Sequence, residues 1–231
     1  MKARPGPLFD IETALRPNGL FARGVAVFGE GEGPLLSNGA SARSVVLVGN
    51  AGGSLWAPFE RWRRETASGK IEHPLDTWSK TVIGAVAARS GATAYFPSDP
   101  PYQPFQQWAK RAEGLQASPL GILIHPKYGL WHGYRGALGF AAELPASKEA
   151  GDHPCDTCPD RPCLTTCPVG AVRSDGFNVR DCRTHLAGPA GQAGCMTQGC
   201  LARNACPIGD GYRYSEGQIR FHMQALDLPP V

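Results

Sequence analysis

All eight cysteines of this 231-residue chain fall between positions 155 and 206, and the first 154 residues contain none. They form two runs that each end in Cys-Pro, with one cysteine between the runs: Cys155-x2-Cys158-x4-Cys163-x3-Cys167-Pro168, then Cys182, then Cys195-x4-Cys200-x5-Cys206-Pro207. Runs of this kind are typical of proteins with two iron–sulfur clusters, although the first run is longer than the C-x2-C-x2-C-x3-C-P pattern. The cysteine-rich tail therefore predicts two [4Fe–4S] clusters as cofactors.

The order of the cysteines also predicts which of them share a cluster. In two-cluster ferredoxins the last cysteine of each run ligates the other cluster, because the following proline turns the chain away from its own loop. The first cysteine set is then Cys155, Cys158, Cys163 and Cys206. The second cysteine set is Cys167, Cys182, Cys195 and Cys200.

Disulfides and zinc are the two alternative interpretations of these cysteines. Four disulfides are typical of small secreted chains, whereas residues 1–7 lack the apolar core of a signal peptide. Zinc also takes paired cysteines, but zinc sites do not require a proline after the ligand, and no histidine stands at ligand spacing within either run. The pattern favours clusters over both alternatives.

The overall composition is that of a globular protein without a strongly charged surface. Hydrophobic residues make up 42% of the chain, and 23 basic against 20 acidic residues give a formal charge of +3. This balance does not indicate a nucleic-acid or anionic-membrane partner. The sequence also lacks a run of about 18 apolar residues, so we expect a cytoplasmic protein.

The first 150 residues predict an α+β or α/β domain. Predicted strands cover residues 24–29, 45–48, 92–96 and 120–125, with β character again over 131–140. Predicted helices cover residues 58–66, 105–113 and a stretch through Leu75, Trp78, Val82, Ile83 and Val86 that ends at Gly91. The glycine-rich residues 49–53 fit neither G-x-G-x-x-G nor a phosphate loop. They therefore predict a strand-to-helix turn rather than a dinucleotide site.

The boundary between the two predicted domains lies in the polar residues 146–152. We expect one domain over residues 1–148 and a small ferredoxin-like domain over residues 149–231. Within the latter, Asp175-Gly176 between short apolar stretches predicts a hairpin.

The most distinctive part of the first domain is residues 122–136. It carries Ile124-His125-Pro126, then Lys127-Tyr128-Gly129, Trp131 and finally Arg135-Gly136. This stretch resembles the corresponding part of CblC-type cobalamin-processing proteins, and the likeness is plausible over about residues 45–145. The resemblance implies a nitroreductase-like α/β sandwich that binds cobalamin.

The same resemblance implies roles for individual residues. The cofactor-binding candidates are His125, Pro126, Tyr128, Gly129, Trp131 and Arg135, with His132 and Tyr134 beside them. His125 to Gly129 would form a loop near the corrin, Trp131 would pack in the cavity, and Arg135 would bind glutathione. The alternatives are a histidine that closes a strand, a core tryptophan and a structural ion pair of Arg135.

The cysteine-rich tail resembles the two-cluster module of epoxyqueuosine reductases and corrinoid reductive dehalogenases. In those families the clusters feed electrons to cobalamin, so the combined resemblance implies an iron–sulfur oxidoreductase that reduces cobalamin and removes its upper axial ligand. No Asp-x-His-x-x-Gly occurs in the sequence, and cobalamin is therefore expected base-off, without a histidine ligand.

Two other functions stay open at this point. One is a cobalamin-dependent reductase of an organic substrate, and the other is a two-cluster electron carrier whose first domain serves for docking. All three need an electron donor such as a ferredoxin, a flavodoxin or a flavin reductase. The sequence identifies no catalytic residue, and the resemblance is compatible with a homodimer.

Overall fold

The computed structural model describes residues 6–66, 71–147, 151–226 and 228, and its packing divides the chain into two units. The first unit contains the described residues up to Gly114 and those of 133–147. The second unit contains Leu115–His132 and the described residues from 151 onward. The predicted domain boundary falls on residues 148–150, which lie outside the described residues, and it stays a prediction. By packing, Leu115–His132 belongs with the cysteine-rich tail.

Both units combine helices with short or medium strands. The α-helices are α1 Pro7–Leu15, α2 Trp56–Thr66, α3 Pro74–Ser90, α4 Phe105–Glu113, α5 Val179–Ala187, α6 Pro189–Ala193, α7 Cys195–Gln198, α8 Leu201–Asn204 and α9 Glu216–Gln224. The strands are β1 Phe21–Val27, β2 Ser44–Ala51, β3 Thr93–Tyr95, β4 Gln116–Ala117, β5 Leu123–Ile124, β6 His132–Phe140, β7 Val172–Arg173 and β8 Gly176–Phe177. The mixed α/β composition agrees with the predicted fold class.

The first unit is built on a four-stranded sheet in the order β1-β2-β6-β3. β1 and β2 pair antiparallel from Phe21 opposite Gly49, with a bulge between Ala22 and Gly24. β3 and β6 also pair antiparallel. Every residue of β2 is buried, which is the burial expected for a strand with apolar residues on both faces. The predicted strand over residues 45–48 is thus confirmed and is longer than predicted.

Capping signals in the sequence set the limits of α3 and α4. Pro74 occupies the first turn of α3, where its missing N–H costs nothing. Gly91 ends the helix with φ 65°, and its N–H donates to the carbonyl oxygen of Ala87. Gly114 ends α4 in the same left-handed conformation, with φ 67°. Glycine is favoured at the position just after a helix because it adopts the left-handed conformation without steric cost.

The predicted strand over residues 120–125 is shorter in the structure. Only Leu123–Ile124 forms a strand, because the preceding residues make a tight turn. In that turn the Ser118 hydroxyl donates to the Ile122 carbonyl oxygen, and Gly121 has φ 76°. The predicted hairpin at Asp175-Gly176 is confirmed by the antiparallel pairing of Val172–Arg173 with Gly176–Phe177.

A hydrophobic core in the second unit lies beneath the cysteines. Its buried members are Leu120, Ile124, Leu130, Val172, Ala202 and Cys206. Several half-buried cysteines of both runs pack against it. Segment Leu115–His132 therefore supplies half of the apolar support for the cysteine loops. Across the described ranges, no helix has both the length and the apolar character needed to cross a bilayer.

Substitution of Phe59 tests how much its burial stabilises the core of the first unit. Its side chain is fully buried, and its ring lies 5.8 Å from the ring of Trp78 and 6.2 Å from that of Trp62. We expect Phe59→Ala to lower the free energy of unfolding by about 3–5 kcal/mol, since it removes buried area and leaves a cavity. Urea unfolding followed by circular dichroism measures the change. The matched control is Phe9→Ala at a 60% exposed phenylalanine, and an equal loss in both variants would contradict the assignment.

Candidate functional site

Two cavities in the second unit are each lined by four cysteines. One is lined by Cys155, Cys158, Cys163 and Cys206 together with prolines and apolar residues. The other is lined by Cys167, Cys182, Cys195 and Cys200, mainly apolar residues, two arginines and a histidine. The members of each group are those of the first and second cysteine sets. Cysteines up to 51 positions apart in sequence thus surround a common space.

The thiols of each set influence one another's ionisation. Burial raises the pKa of Cys155 to about 11, and the other three thiols of the first cysteine set add to this rise. Burial likewise raises the pKa of Cys182 to about 11, with a further rise from the other three thiols of the second cysteine set. Arg161 and Arg183 act against these shifts at Cys155 and Cys182, respectively. Four such thiols ionise together only when a cation compensates their charge.

A backbone N–H donor and a histidine ring nitrogen also approach the sulfur atoms. The backbone N–H of Ala171 donates to Cys167 Sγ at 3.3 Å, and His185 Nε2 lies 3.9 Å from Cys195 Sγ. Backbone hydrogen bonds lower the pKa of Cys200 and Cys206 but do not outweigh burial. Hydrogen bonds to sulfur are one of the factors that set the potential of an iron–sulfur cluster.

All eight cysteines are free thiols, so the disulfide interpretation finds no support. Within the described ranges, no three His, Cys, Asp or Glu side chains meet the geometry for ligating a single metal ion. The cluster interpretation of the two cavities stays a prediction.

Residues 125–129 of the cobalamin-binding candidates form one tight turn. The backbones of His125 and Gly129 exchange two hydrogen bonds, of 2.9 and 2.8 Å. His125 Nδ1 accepts from the backbone N–H groups of Lys127 and Tyr128 at 3.0 and 3.2 Å. Because Nδ1 is an acceptor, the neutral ring carries its proton on Nε2. The imidazole stacks on the Tyr128 ring with centroids 4.3 Å apart. Pro126, which follows His125 in the turn, is half-buried.

Gly129 joins this turn to the chain that follows the last cysteine. It has φ 57°, and a Cβ atom there would lie 1.8 Å from the carbonyl oxygen of Ile208. The Tyr128 ring meets the Tyr212 ring edge to face at 4.9 Å. Only glycine satisfies both the backbone conformation and the close approach.

Trp131 is a core residue of the second unit. Its side chain is 1% exposed, and its ring lies 5.2 Å from that of Tyr214. The Arg203 guanidinium lies 4.2 Å from the Trp131 ring centroid and donates to the Leu130 carbonyl oxygen at 2.6 Å. This packing matches the alternative interpretation of Trp131 as core, with a cation–π contact that the sequence does not reveal.

Arg135 lies in the first unit and forms an ion pair there. Its guanidinium contacts Asp76 Oδ1 at 2.5 Å, and its Nε donates to the Ser79 hydroxyl at 3.2 Å. Both partners belong to α3. The structural ion pair that was the alternative for Arg135 is therefore present, and binding of glutathione at this residue stays a prediction.

Tyr134 belongs to a buried polar cluster that the sequence gives no signal for. Its hydroxyl donates to Glu113 Oε1 at 2.6 Å, and Glu113 Oε2 pairs with Arg23 at 2.9 Å. The side chains of Arg23 and Glu113 are 1% and 6% exposed. Burial raises the pKa of Glu113, and Arg23 and the Tyr134 hydrogen bond act against that shift. The three residues come from β1, α4 and β6, so only the sheet brings them together.

The sheet and its helices define a mixed α/β protein with a fold like that of CblC. One similar structure is that of the C. elegans B12-trafficking protein CblC, a homologue of human MMACHC. The match covers 94% of this chain and 90% of the CblC chain, with a TM-score of 0.52 and 14% sequence identity. Epoxyqueuosine reductase from Streptococcus thermophilus matches 82% of this chain at a TM-score of 0.51 and 16% identity. This chain covers 52% of that enzyme's length. At these identities the likeness is one of fold.

No family model and no curated protein sequence matches the chain. The fold likeness accords with the resemblance inferred from residues 122–136. The fold likeness does not show whether the cysteine-rich cavities bind a metal cluster.

The buried pair of Arg23 and Glu113 is tested by removing one or both charges. We expect Glu113→Ala to lower the free energy of unfolding by about 3–5 kcal/mol, because the variant removes the carboxylate beside a buried guanidinium. The double variant Arg23→Met/Glu113→Leu should recover most of this loss, since it removes both charges and keeps the volume. Urea unfolding of both variants measures the difference. A double variant no more stable than Glu113→Ala would contradict the electrostatic explanation.

Proposed function

We propose that this chain is an iron–sulfur oxidoreductase that binds cobalamin, reduces its cobalt and removes its upper axial ligand. The observation that carries the proposal is the pair of four-cysteine cavities in a chain with a CblC-like fold. The cavities suit an electron-transfer role, and the fold neighbour from C. elegans is a B12-trafficking protein.

The two cysteine sets would each hold one [4Fe–4S] cluster. Thiolates are the usual ligands of such clusters, which supply single electrons at low potential when bound. The raised pKa values of Cys155 and Cys182 support this assignment, because iron provides the positive charge that four grouped thiolates need. The backbone donor to Cys167 and the contact of His185 with Cys195 would hold the ligands in place.

Cobalamin is the proposed substrate. A cyano group bound to cobalt(III) leaves as the cyanide anion, with both electrons of the Co–C bond, when cobalt accepts one electron and becomes cobalt(II). The added electron weakens the axial bond, so reduction and ligand loss are coupled. The protein's task is to bind the corrin and to bring an electron source to it.

The turn from His125 to Gly129 is the segment that we propose for contact with the corrin. Its stacked His125 and Tyr128 rings present flat, partly apolar surfaces, which suit a large flat ligand. Trp131 is too deeply buried to line an open cavity, and it would act by supporting this turn from within the core. Cobalamin would bind base-off without a protein ligand, as the absence of Asp-x-His-x-x-Gly predicts.

A second candidate function is the cobalamin-dependent reduction of an organic substrate. The fold likeness to epoxyqueuosine reductase favours it. Such an enzyme needs a positioned proton donor for its substrate, and the arrangement of the described residues identifies none. Tight cobalamin binding without release of the upper ligand would favour this candidate.

The main prediction concerns cyanocobalamin. Protein purified without oxygen should shift added cyanocobalamin to the base-off absorption spectrum and release cyanide after chemical reduction. A variant with Cys155, Cys158 and Cys163 all changed to serine should still bind cobalamin but release cyanide at least about tenfold more slowly, because it lacks one cluster. Intact clusters without any cobalamin binding would rule out the proposal and leave an electron carrier.

A separate prediction tests the membership of the two cysteine sets. In the triple serine variant of Cys155, Cys158 and Cys163, the remaining cluster should contain about four irons per chain. Adding Cys206→Ser should leave that iron content unchanged, since Cys206 belongs to the first set. Adding Cys167→Ser instead should reduce it, because Cys167 belongs to the second set. Iron and sulfide analysis with electron paramagnetic resonance gives the result, and the reverse pattern would show that each run ligates its own cluster.

A further inference from the structure

The cavity of the second cysteine set carries exposed apolar side chains. Ile122, Val169, Val179 and Leu226 all line it, and they are 39%, 39%, 54% and 40% exposed. We refer to these four residues as the apolar patch. Exposed apolar groups gathered in one place mark interaction surfaces more often than scattered ones do.

The first cysteine set has no comparable surface. Its cavity is lined by Ser118, Arg161, prolines and residues of the core, and none of the exposed large hydrophobic side chains of the described chain is among them. The two cysteine sets therefore differ in what surrounds them. The second set is the one that a partner protein can approach through an apolar surface.

The charges around the apolar patch are positive. Arg183 and Arg203 line the same cavity, and none of the described lining residues is Asp or Glu. The acidic residue next to Cys182 is Asp181, whose carboxylate lies 3.6 Å from Arg173 and accepts from the Asn178 side chain at 2.6 Å. A partner that covers the apolar patch would thus meet the Arg183 guanidinium at its edge, which favours an acidic partner surface.

We propose that the apolar patch is the docking surface of an acidic one-electron carrier protein, which delivers electrons to the second cluster. This inference rests on the proposed function, because it takes the second cysteine set to hold a cluster. In each encounter the carrier loses one electron and the cluster gains one, and no atom is transferred. The rate of such a transfer falls steeply with distance, so the carrier must contact the protein beside the cluster.

The size and chemistry of the surface suit a brief encounter. Electron-transfer complexes bury small areas, below about 1,200 Å², and a few exposed apolar side chains are sufficient for that. Opposite charges raise the rate of encounter without making the complex long-lived. The apolar patch and Arg183 combine these two properties.

The test compares a protein donor with a small-molecule donor. Purified acidic flavodoxin, reduced to its hydroquinone, is mixed with the oxidised anaerobic protein, and the loss of cluster absorbance is followed by stopped flow. Dithionite serves as the donor that needs no docking surface. We expect Val179→Ser/Leu226→Ser to slow reduction by flavodoxin about tenfold, as expected when apolar contacts at the centre of an interface are removed. Reduction by dithionite should stay unchanged.

Two further variants complete the design. Leu35→Ser is the matched control, because Leu35 is 67% exposed but lies in the first unit, and it should react at the wild-type rate. Arg183→Gln should slow flavodoxin about threefold at low salt and flatten the salt dependence, whereas Arg183→Lys should restore both. Iron content is measured for each variant.

Three outcomes would overturn the docking proposal. Equal flavodoxin rates in wild type and Val179→Ser/Leu226→Ser would exclude the surface. Equal slowing with dithionite would show damage to the cluster, and a change of oligomeric state without a change in donor rate would assign the apolar patch to a second copy of the chain. The docking proposal would stand, and only the proposed function would be refuted, if the clusters accepted electrons through the apolar patch but the protein did not bind cobalamin. Absence of clusters would refute both.

Discussion

A close backbone contact between Gly129 and Ile208 holds together the part of the protein on which the proposed chemistry depends. A side chain at Gly129 would place its Cβ atom 1.8 Å from the Ile208 carbonyl oxygen, so the contact tolerates only glycine. It joins the His125 turn to the residues that directly follow Cys206-Pro207. The core of Leu120, Ile124 and Leu130 then supports the cysteine loops from the same segment. The turn and the cysteines are therefore parts of one packed structure.

The electrostatics of the cysteine cavities follow from this packing. Burial and mutual repulsion raise the pKa values of Cys155 and Cys182. Arg161 and Arg183 offset only a part of these effects. Ionising four thiols in a small volume is unfavourable, so four thiolates can form together only where a cation compensates their charge. Arg183 at the second cavity is also the charge on which the proposed docking of an acidic partner depends.

Local sequence signals predicted the elements that they directly control. The helix over residues 105–113 has its predicted limits, because Gly114 provides a left-handed cap. The strand over residues 120–125 was predicted too long, because the hydrogen bonds of Ser118 and the φ of Gly121 favour a turn over strand pairing. The partners of Arg135, Trp131 and Tyr134 were beyond prediction. Asp76, Arg203 and Glu113 lie from 21 to 72 positions away in sequence, and no spacing rule connects them.

The sequence by itself determined the chemical character of the tail, the grouping of its cysteines into two sets of four and the resemblance of residues 122–136. Residue type and local spacing are decisive for these features, and the rule that the last cysteine of a run ligates the other cluster extends the grouping to distant cysteines. Tertiary structure alone decided that Leu115–His132 packs with the cysteine-rich unit, that Trp131 is core and that Arg135 is paired. These outcomes depend on which segments, distant in sequence, bury apolar surface against one another. The free energy of that packing is a property of the folded chain as a whole.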